Sequence, residues 1–247
     1  MNIDPLCKDG NLEVACAGAL HRIITELARA FEQASGNRVR VSVKFDRSGV
    51  VKTRVLDGEI LDVVITTKVA IDELARRHKV APDSIVNVAY SRIGVAVRTG
   101  VAKPDIGSVE SFKRTLLNAK SIACADPATG SPSGNYFLSL LHRLGIAAEI
   151  EPKLRLVGAL GTSVIVVCET VANRDAEIGI QQIAEILPVA GVDLAGPLPD
   201  ELQQVTTFSA AASGAREPEL ARRFIAFISS EAAAPVVVAS GMEYHPP

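Results

Sequence analysis

The feature that most limits what this chain can become is a repeated exchange of hydrophobic period, from 3.6 residues to 2 and back, along its length. Across residues 19–34, Leu20, Ile23, Ile24, Leu27, Ala28 and Phe31 recur at helical spacing while Arg22, Glu26, Arg29 and Glu32 fall elsewhere. Ser35-Gly36-Asn37 then stops that helix. Immediately afterwards Val39, Val41, Val43 and Phe45 alternate with Arg38, Arg40, Ser42 and Lys44, the period of a half-buried strand. The same reading predicts strands at 12–16, 61–66, 93–98, 121–126, 153–157, 177–181 and 205–212. Helices are expected at 69–79, 108–118, 135–144 and 162–173, with a last one opened by Pro218 and carrying Leu220, Phe224, Phe227 and Ile228. Strands that alternate with helices make βαβ units, so the expected class is α/β, with mostly parallel sheets and helices on both faces.

Composition narrows the function. The 247 residues suffice for two lobes, each with its own core. Lys and Arg (26) nearly balance Asp and Glu (28), aromatics are 4% and Trp is absent, so the charge stripe and stacking surfaces of a nucleic-acid binder are missing. No apolar run approaches the ~20 residues of a membrane span. Cys7, Cys16, Cys124 and Cys168 are scattered, which suggests neither a zinc site nor a disulfide framework; they read as small core hydrophobes, with Cys7 exposed. His21, His78, His142 and His245 are equally dispersed and read as surface or capping residues, so no metal is expected. The phosphate loop, dinucleotide fingerprint, nucleophile elbow and zinc-protease helix are all absent from the sequence.

What remains is the loops. In α/β sheets ligands bind beyond the carboxyl ends of strands, where the following helices present unpaired N–H groups and a positive dipole end. Three such junctions are built from small residues: Ala17-Gly18-Ala19, Arg47-Ser48-Gly49-Val50, and the longer stretch from Asp126 through Ser131 and Ser133 to Asn135. Small residues let a ligand approach the backbone, and the serines add hydroxyl donors, which together describe an anion site. Each loop taken singly also reads as ordinary turn and capping chemistry.

The order of these segments resembles the molybdate-binding, type II periplasmic solute-binding proteins over nearly the whole chain. The segments VACAGALHRIITELARAFEQASGNRVRVSVKFDRSG, DGEILDVVITTKVAIDEL, IGVAVR, IACADPATGSPSGNYFLSLLHRLGI and AEIGIQQIAEI carry it. The resemblance implies two α/β lobes, each a mixed, mostly parallel sheet flanked by helices, closing by a hinge on a ligand in the cleft between them. On this analogy residues 1–90 and 196–247 form lobe I and residues 91–195 lobe II. The family's ligand donors carry over to Gly18 and Ala19, to Ser48, to Thr67, to Ser131, Ser133 and Gly134, and to Gln181 and Gln182.

The pattern departs from a molybdate site in several places. Ala19 has no side-chain donor, Gln stands where the family has a late Tyr, and Arg47 brings a planar guanidinium suited to bidentate carboxylate recognition. These differences point to an organic anion with one or more carboxylates, with Arg47 pairing one of them; a solvated loop charge is the alternative for Arg47. Residues 179–182 (Gly-Ile-Gln-Gln) also resemble the aconitate-isomerase-like branch, which would need a base, for which His21, Lys52, Asp126 and Glu185 are candidates. The expected function is capture of a small anion for import by an ABC-type permease, by a monomer with no catalytic residue, no cofactor and no metal. An isomerase on the same fold and an intracellular anion sensor are the alternatives. Periplasmic placement follows from the resemblance; residues 1–10 lack the apolar stretch of a secretory signal, which leaves the cytoplasm as the other expectation.

Overall fold

The computed structural model describes residues 10–158, 166–214 and 216–246. Cys7 and residues 162–165 of the predicted helix at 162–173 lie outside them. In chain order, β1 (Gly10–Ala17) passes through a 3-10 turn, Gly18–Leu20, into α1 (His21–Ala34), followed by β2 (Val39–Asp46), α2 (Ser48–Leu56), β3 (Val63–Thr67), α3 (Lys68–Arg76) and β4 (Val86–Ser91). Next come β5 (Ile93–Arg98), α4 (Val109–Asn118), β6 (Ile122–Ala125), α5 (Pro132–Arg143), the one-turn α6 (Ala147–Ile150) and β7 (Leu154–Val157). Then follow α7 (Val166–Ala172), β8 (Ile178–Gln182), the one-turn α8 (Ile183–Ile186) and β9 (Val192–Pro197). β10 (Thr206–Ala212), α9 (Pro218–Ile228) and α10 (Ala234–Ala239) complete the order. Among the described residues no helix is long and apolar enough to cross a membrane.

These elements sort into two units, Met1–Tyr90 with Thr206–Pro247, and Ser91–Val205. The first has a five-stranded sheet in the order β2-β1-β3-β10-β4, in which β1 is parallel to both β2 and β3, and β10 runs antiparallel to β3. Its hydrophobic periodicity is spent as the sequence predicts: Ile23, Ile24, Leu27, Ala28 and Phe31 of α1 are buried, and Phe31 meets Phe224 and Phe227 of α9 edge to face at 5.2 and 5.4 Å. On another side of the sheet Val51 and Val55 of α2 and Ile71 and Leu74 of α3 share a core with Ala15, Val64 and Ala211.

The second unit has the sheet order β7-β6-β8-β5-β9, with β6 parallel to β7 and β8, and β5 antiparallel to β8 and β9. Strand alternation divides its core in two. Val95 and Val97 pack with Phe112 and Leu116 of α4 and Phe137 and Leu140 of α5, whereas Ala96 and Ala123 pack with Val167, Cys168 and Val171 of α7.

Several expectations change, among them the start of α5 at Pro132 and the addition of β4 and β9. The helix predicted from residue 19 begins at His21, because Gly18–Leu20 closes a tighter turn first. Residues 196–205, assigned by analogy to lobe I, belong to the second unit. β9 lies beside β5, with Gly94 opposite Pro197. Beyond it the Gln203 amide bonds both the N–H and the carbonyl of Ile93 at 2.9 and 3.0 Å, and the Tyr136 hydroxyl donates to the Leu202 carbonyl at 2.7 Å.

Candidate functional site

In the first unit three strand-to-helix junctions emerge from neighbouring strands. Ala17 stands opposite Asp46, and Cys16 stands opposite both Phe45 and Ile65, so the carboxyl ends of β1, β2 and β3 share one edge of the sheet. Gly18 is buried and Ala19 half-buried in the 3-10 turn after β1. Arg47 is the N-cap of α2 with an extended backbone, and its N–H donates to the Asp46 carboxylate at 2.8 Å. Arg47 is only 7% exposed, which rules out a solvated loop charge. Ser48, equally buried, opens α2, and its carbonyl accepts from the Thr66 hydroxyl at 3.4 Å, tying the second junction to the third. Thr67 caps α3, its hydroxyl oxygen accepting from the Ala70 N–H at 3.4 Å, which leaves the hydroxyl proton for another acceptor.

In the second unit the loop after β6 and the end of β8 come together. Asp126 braces the start of the loop by accepting from the Ala128 N–H, and the Thr129 hydroxyl bonds back to the Asp126 carbonyl at 2.6 Å. Gly130 turns the chain through the left-handed region (φ +73°), and Ser131 becomes the N-cap of α5. The Ser133 hydroxyl donates to the Gln181 side-chain oxygen at 2.5 Å and lies 3.2 Å from the Ser131 hydroxyl. Ser131, Ser133, Gln181 and Gln182 are all buried. Gly134 also has a packing role: a Cβ there would lie 2.0 Å from the Ala125 carbonyl oxygen, so the missing side chain is what lets α5 start against the end of β6.

The four candidate bases differ in environment. His21, exposed on the first turn of α1, lies 4.4 Å from the Phe45 ring between centroids. Lys52 is held by Glu73 at 2.8 Å, and that ammonium keeps the Glu73 carboxyl below its ordinary range. Asp126 is occupied within its loop. Glu185 is half-buried on α8. The buried thiols offer no nucleophile: loss of solvent pushes Cys124 and Cys168 up to about 12, and Cys16 well above its usual value. Among the described residues no group of three His, Cys, Asp or Glu side chains is placed to hold a metal ion.

Two polar residues near the first edge escape a reading of the sequence. Thr66 is fully buried beside Ser48, yet in a run of Val, Ile and Thr it reads only as a strand former. Ser209, its partner across β3 and β10, donates to Asn87 at 2.8 Å, and Asn87 in turn donates to the Tyr90 hydroxyl at 3.1 Å. No local signal links Thr66, Asn87 and Ser209, which lie far apart in sequence.

Comparison with known proteins agrees with this architecture. The aconitate isomerase of a Pseudomonas species is 33% identical over 238 residues, covering 94% of this chain and 87% of that protein. The periplasmic molybdate-binding protein of Azotobacter vinelandii superposes with a TM-score of 0.76 at 19% identity, over 95% of this chain and 99% of that one. The L-phospholactate-bound form of PEB3 gives 0.68 at 17% identity, over 96% and 100%. The family model described as bacterial extracellular solute-binding protein matches residues 12–243, and with a 33% identical relative spanning nearly the same length, the chain belongs to that family.

Proposed function

We propose that the chain binds a small organic anion carrying at least one carboxylate, using the loops at the carboxyl ends of its parallel strands. The observation that carries this reading is Arg47: a guanidinium buried at the start of α2 brings a full positive charge and a planar fork of donors, which pairs a carboxylate through two parallel hydrogen bonds. Ser48 and Thr67 are further donors of the first unit, and the second unit has donors of its own in Ser131 and Gln182. Solved neighbours named for molybdate and for phospholactate support an anion, and the latter ligand carries a carboxylate. An extracellular or periplasmic setting belongs to the same reading and takes its support from the family's description, and delivery of the ligand to a membrane permease takes its support from a solved neighbour named as the substrate-binding domain of a molybdenum ABC transporter.

The 33% identity to an aconitate isomerase favours a second reading, in which the bound anion is a tricarboxylate and the protein moves its double bond. That reaction removes a proton from the methylene carbon α to a carboxylate and returns one at the far end of the allylic system as the double bond moves, so it needs a base and donors for the developing charge.

One experiment separates these. Titration calorimetry with trans-aconitate, cis-aconitate, citrate, molybdate and sulfate should give binding for carboxylates and little for the inorganic ions. Arg47→Ala should weaken the preferred carboxylate by about 1.5–3 kcal/mol, the range of a hydrogen bond to a charged group. Unchanged affinity in that variant, or molybdate as the tightest ligand, would overturn the carboxylate reading. Proton NMR of cis-aconitate left with stoichiometric protein tests the second reading, which fails if no trans isomer forms.

A further inference from the structure

We infer that Gln181 fixes the direction of the hydroxyl protons in the loop before α5, making Ser133 a positioning residue and leaving Ser131, with the first N–H groups of α5, to meet a carboxylate. The inference rests on the carboxylate reading above for its ligand, but its proton order stands on hydrogen-bond accounting alone.

The accounting starts from a donor whose role cannot change. The backbone N–H of Gln182 points at the Gln181 side chain at 3.2 Å, and an N–H can only donate, so the atom facing it is the amide oxygen. The same oxygen lies 2.5 Å from the Ser133 hydroxyl. Ser133 must therefore donate to Gln181, and its single proton is committed. Ser133 then meets Ser131, 3.2 Å away, as an acceptor, so in the resting loop Ser131 donates to Ser133. The order runs Ser131 to Ser133 to Gln181.

Two consequences follow for a ligand. Ser133, 1% exposed and with its proton turned to Gln181, cannot donate to an anion without breaking a short buried bond. Ser131 gives up only the longer contact. Ser131 is also an unusual N-cap, since its side chain caps no N–H of its own helix. The N–H groups of Ser133 and Gly134 in the first turn consequently find no acceptor among the described residues. One movable hydroxyl and two N–H groups at a helix start match the two oxygens of a carboxylate. A tetrahedral dianion with four oxygens would call on the Ser133 proton as well.

The test has a ligand-free arm and a ligand arm. In urea melts of the unliganded protein, Ser133→Ala should lower the midpoint in the wild-type background and lower it by less than half as much in a Gln181→Met background. Equal losses in both backgrounds would overturn the proton order. With trans-aconitate as probe, Ser131→Ala should weaken binding about tenfold or more and Ser133→Ala less than about threefold. A loss in S133A as large as in S131A would overturn the positioning role. Gln181→Met, which releases the Ser133 proton, should shift relative affinity toward molybdate by at least about threefold, a change in selectivity that lost rigidity alone would not produce. Wild-type protein that fails to bind trans-aconitate while the melts remain coupled would sink the ligand reading and support the proton order.

Discussion

Gly134 shows how one missing methyl can decide where a helix begins. Its would-be Cβ meets backbone, the Ala125 carbonyl oxygen at 2.0 Å, and backbone at the end of a central strand cannot step aside. Gly94 is less tightly confined: a Cβ there would crowd Leu194 Cδ1 at 2.7 Å, Ile183 Cγ1 at 2.8 Å and the Gly196 carbonyl oxygen at 3.1 Å, so its closest neighbours are side-chain atoms and the backbone stands farther off. Overpacking a tight site costs about 1–3 kcal/mol, more where nothing can yield. Gly134→Ala should therefore destabilise the protein by at least about 3 kcal/mol in urea melts, and Gly94→Ala by clearly less; the reverse order would mean that α5 can lift from β6. Any ligand affinity should fall further in G134A, because displacing α5 moves Ser131 and the helix N–H groups together. The polar chemistry is similarly local. That Arg47 is not a solvated charge is a matter of burial, which no residue pattern in the loop encodes.

Helices α2 and α3 carry Arg47, Ser48 and Thr67 at their starts, and ion pairs hold both further along. Lys52 of α2 bonds Glu73 of α3 at 2.8 Å, and Arg54 grips Glu59, in the turn after α2, through Nε at 2.5 Å and a second nitrogen at 2.7 Å. The bidentate Arg54 guanidinium holds the Glu59 carboxyl below its ordinary value of 4.5, and Lys52 does the same to Glu73. The sign of the pH effect follows. A carboxyl with a depressed folded value binds fewer protons folded than unfolded near pH 4, so its stabilisation is complete above about 4.5 and is lost as pH falls through the lower folded value. The urea midpoint should therefore decline below pH 4.5. A Glu59→Gln, Glu73→Gln variant should start lower at pH 7 and show a flatter acid limb; a limb as steep as wild type would place the acid-sensitive groups elsewhere. Both pairs are partly exposed, so the pH 7 loss should be modest and smaller at high salt.

At the scale of the whole molecule, the α/β class and most of the βαβ order are legible in the sequence because burial writes them as period: the spacing of their apolar residues is enough to tell α1 from β2. β4 and β9 are not legible in that way. β9 ends in Ala-Gly-Pro and is half-buried through most of its length, so its pattern does not argue against the lobe boundary expected at residue 196, whereas the chain continues beside β5 and is anchored by Gln203 and Tyr136. The candidate site is legible as three small-residue loops, while the Ser133–Gln181 bond, spanning 48 positions, is a tertiary fact. The revised boundary has a physical consequence. Ser91–Val205 is one uninterrupted stretch with a complete five-stranded sheet and apolar layers on both faces, whereas the other unit is assembled from two separated segments. A domain with its own core can fold alone, and this stretch falls within the usual size of such domains, roughly 50–250 residues. Residues 91–205 expressed alone should give mixed α/β circular dichroism and a single cooperative urea transition, whereas residues 91–195 should not, because they lack Leu198, Leu202 and the Gln203 bonds to Ile93. Equal cooperativity in the two fragments would return residues 196–205 to the first unit.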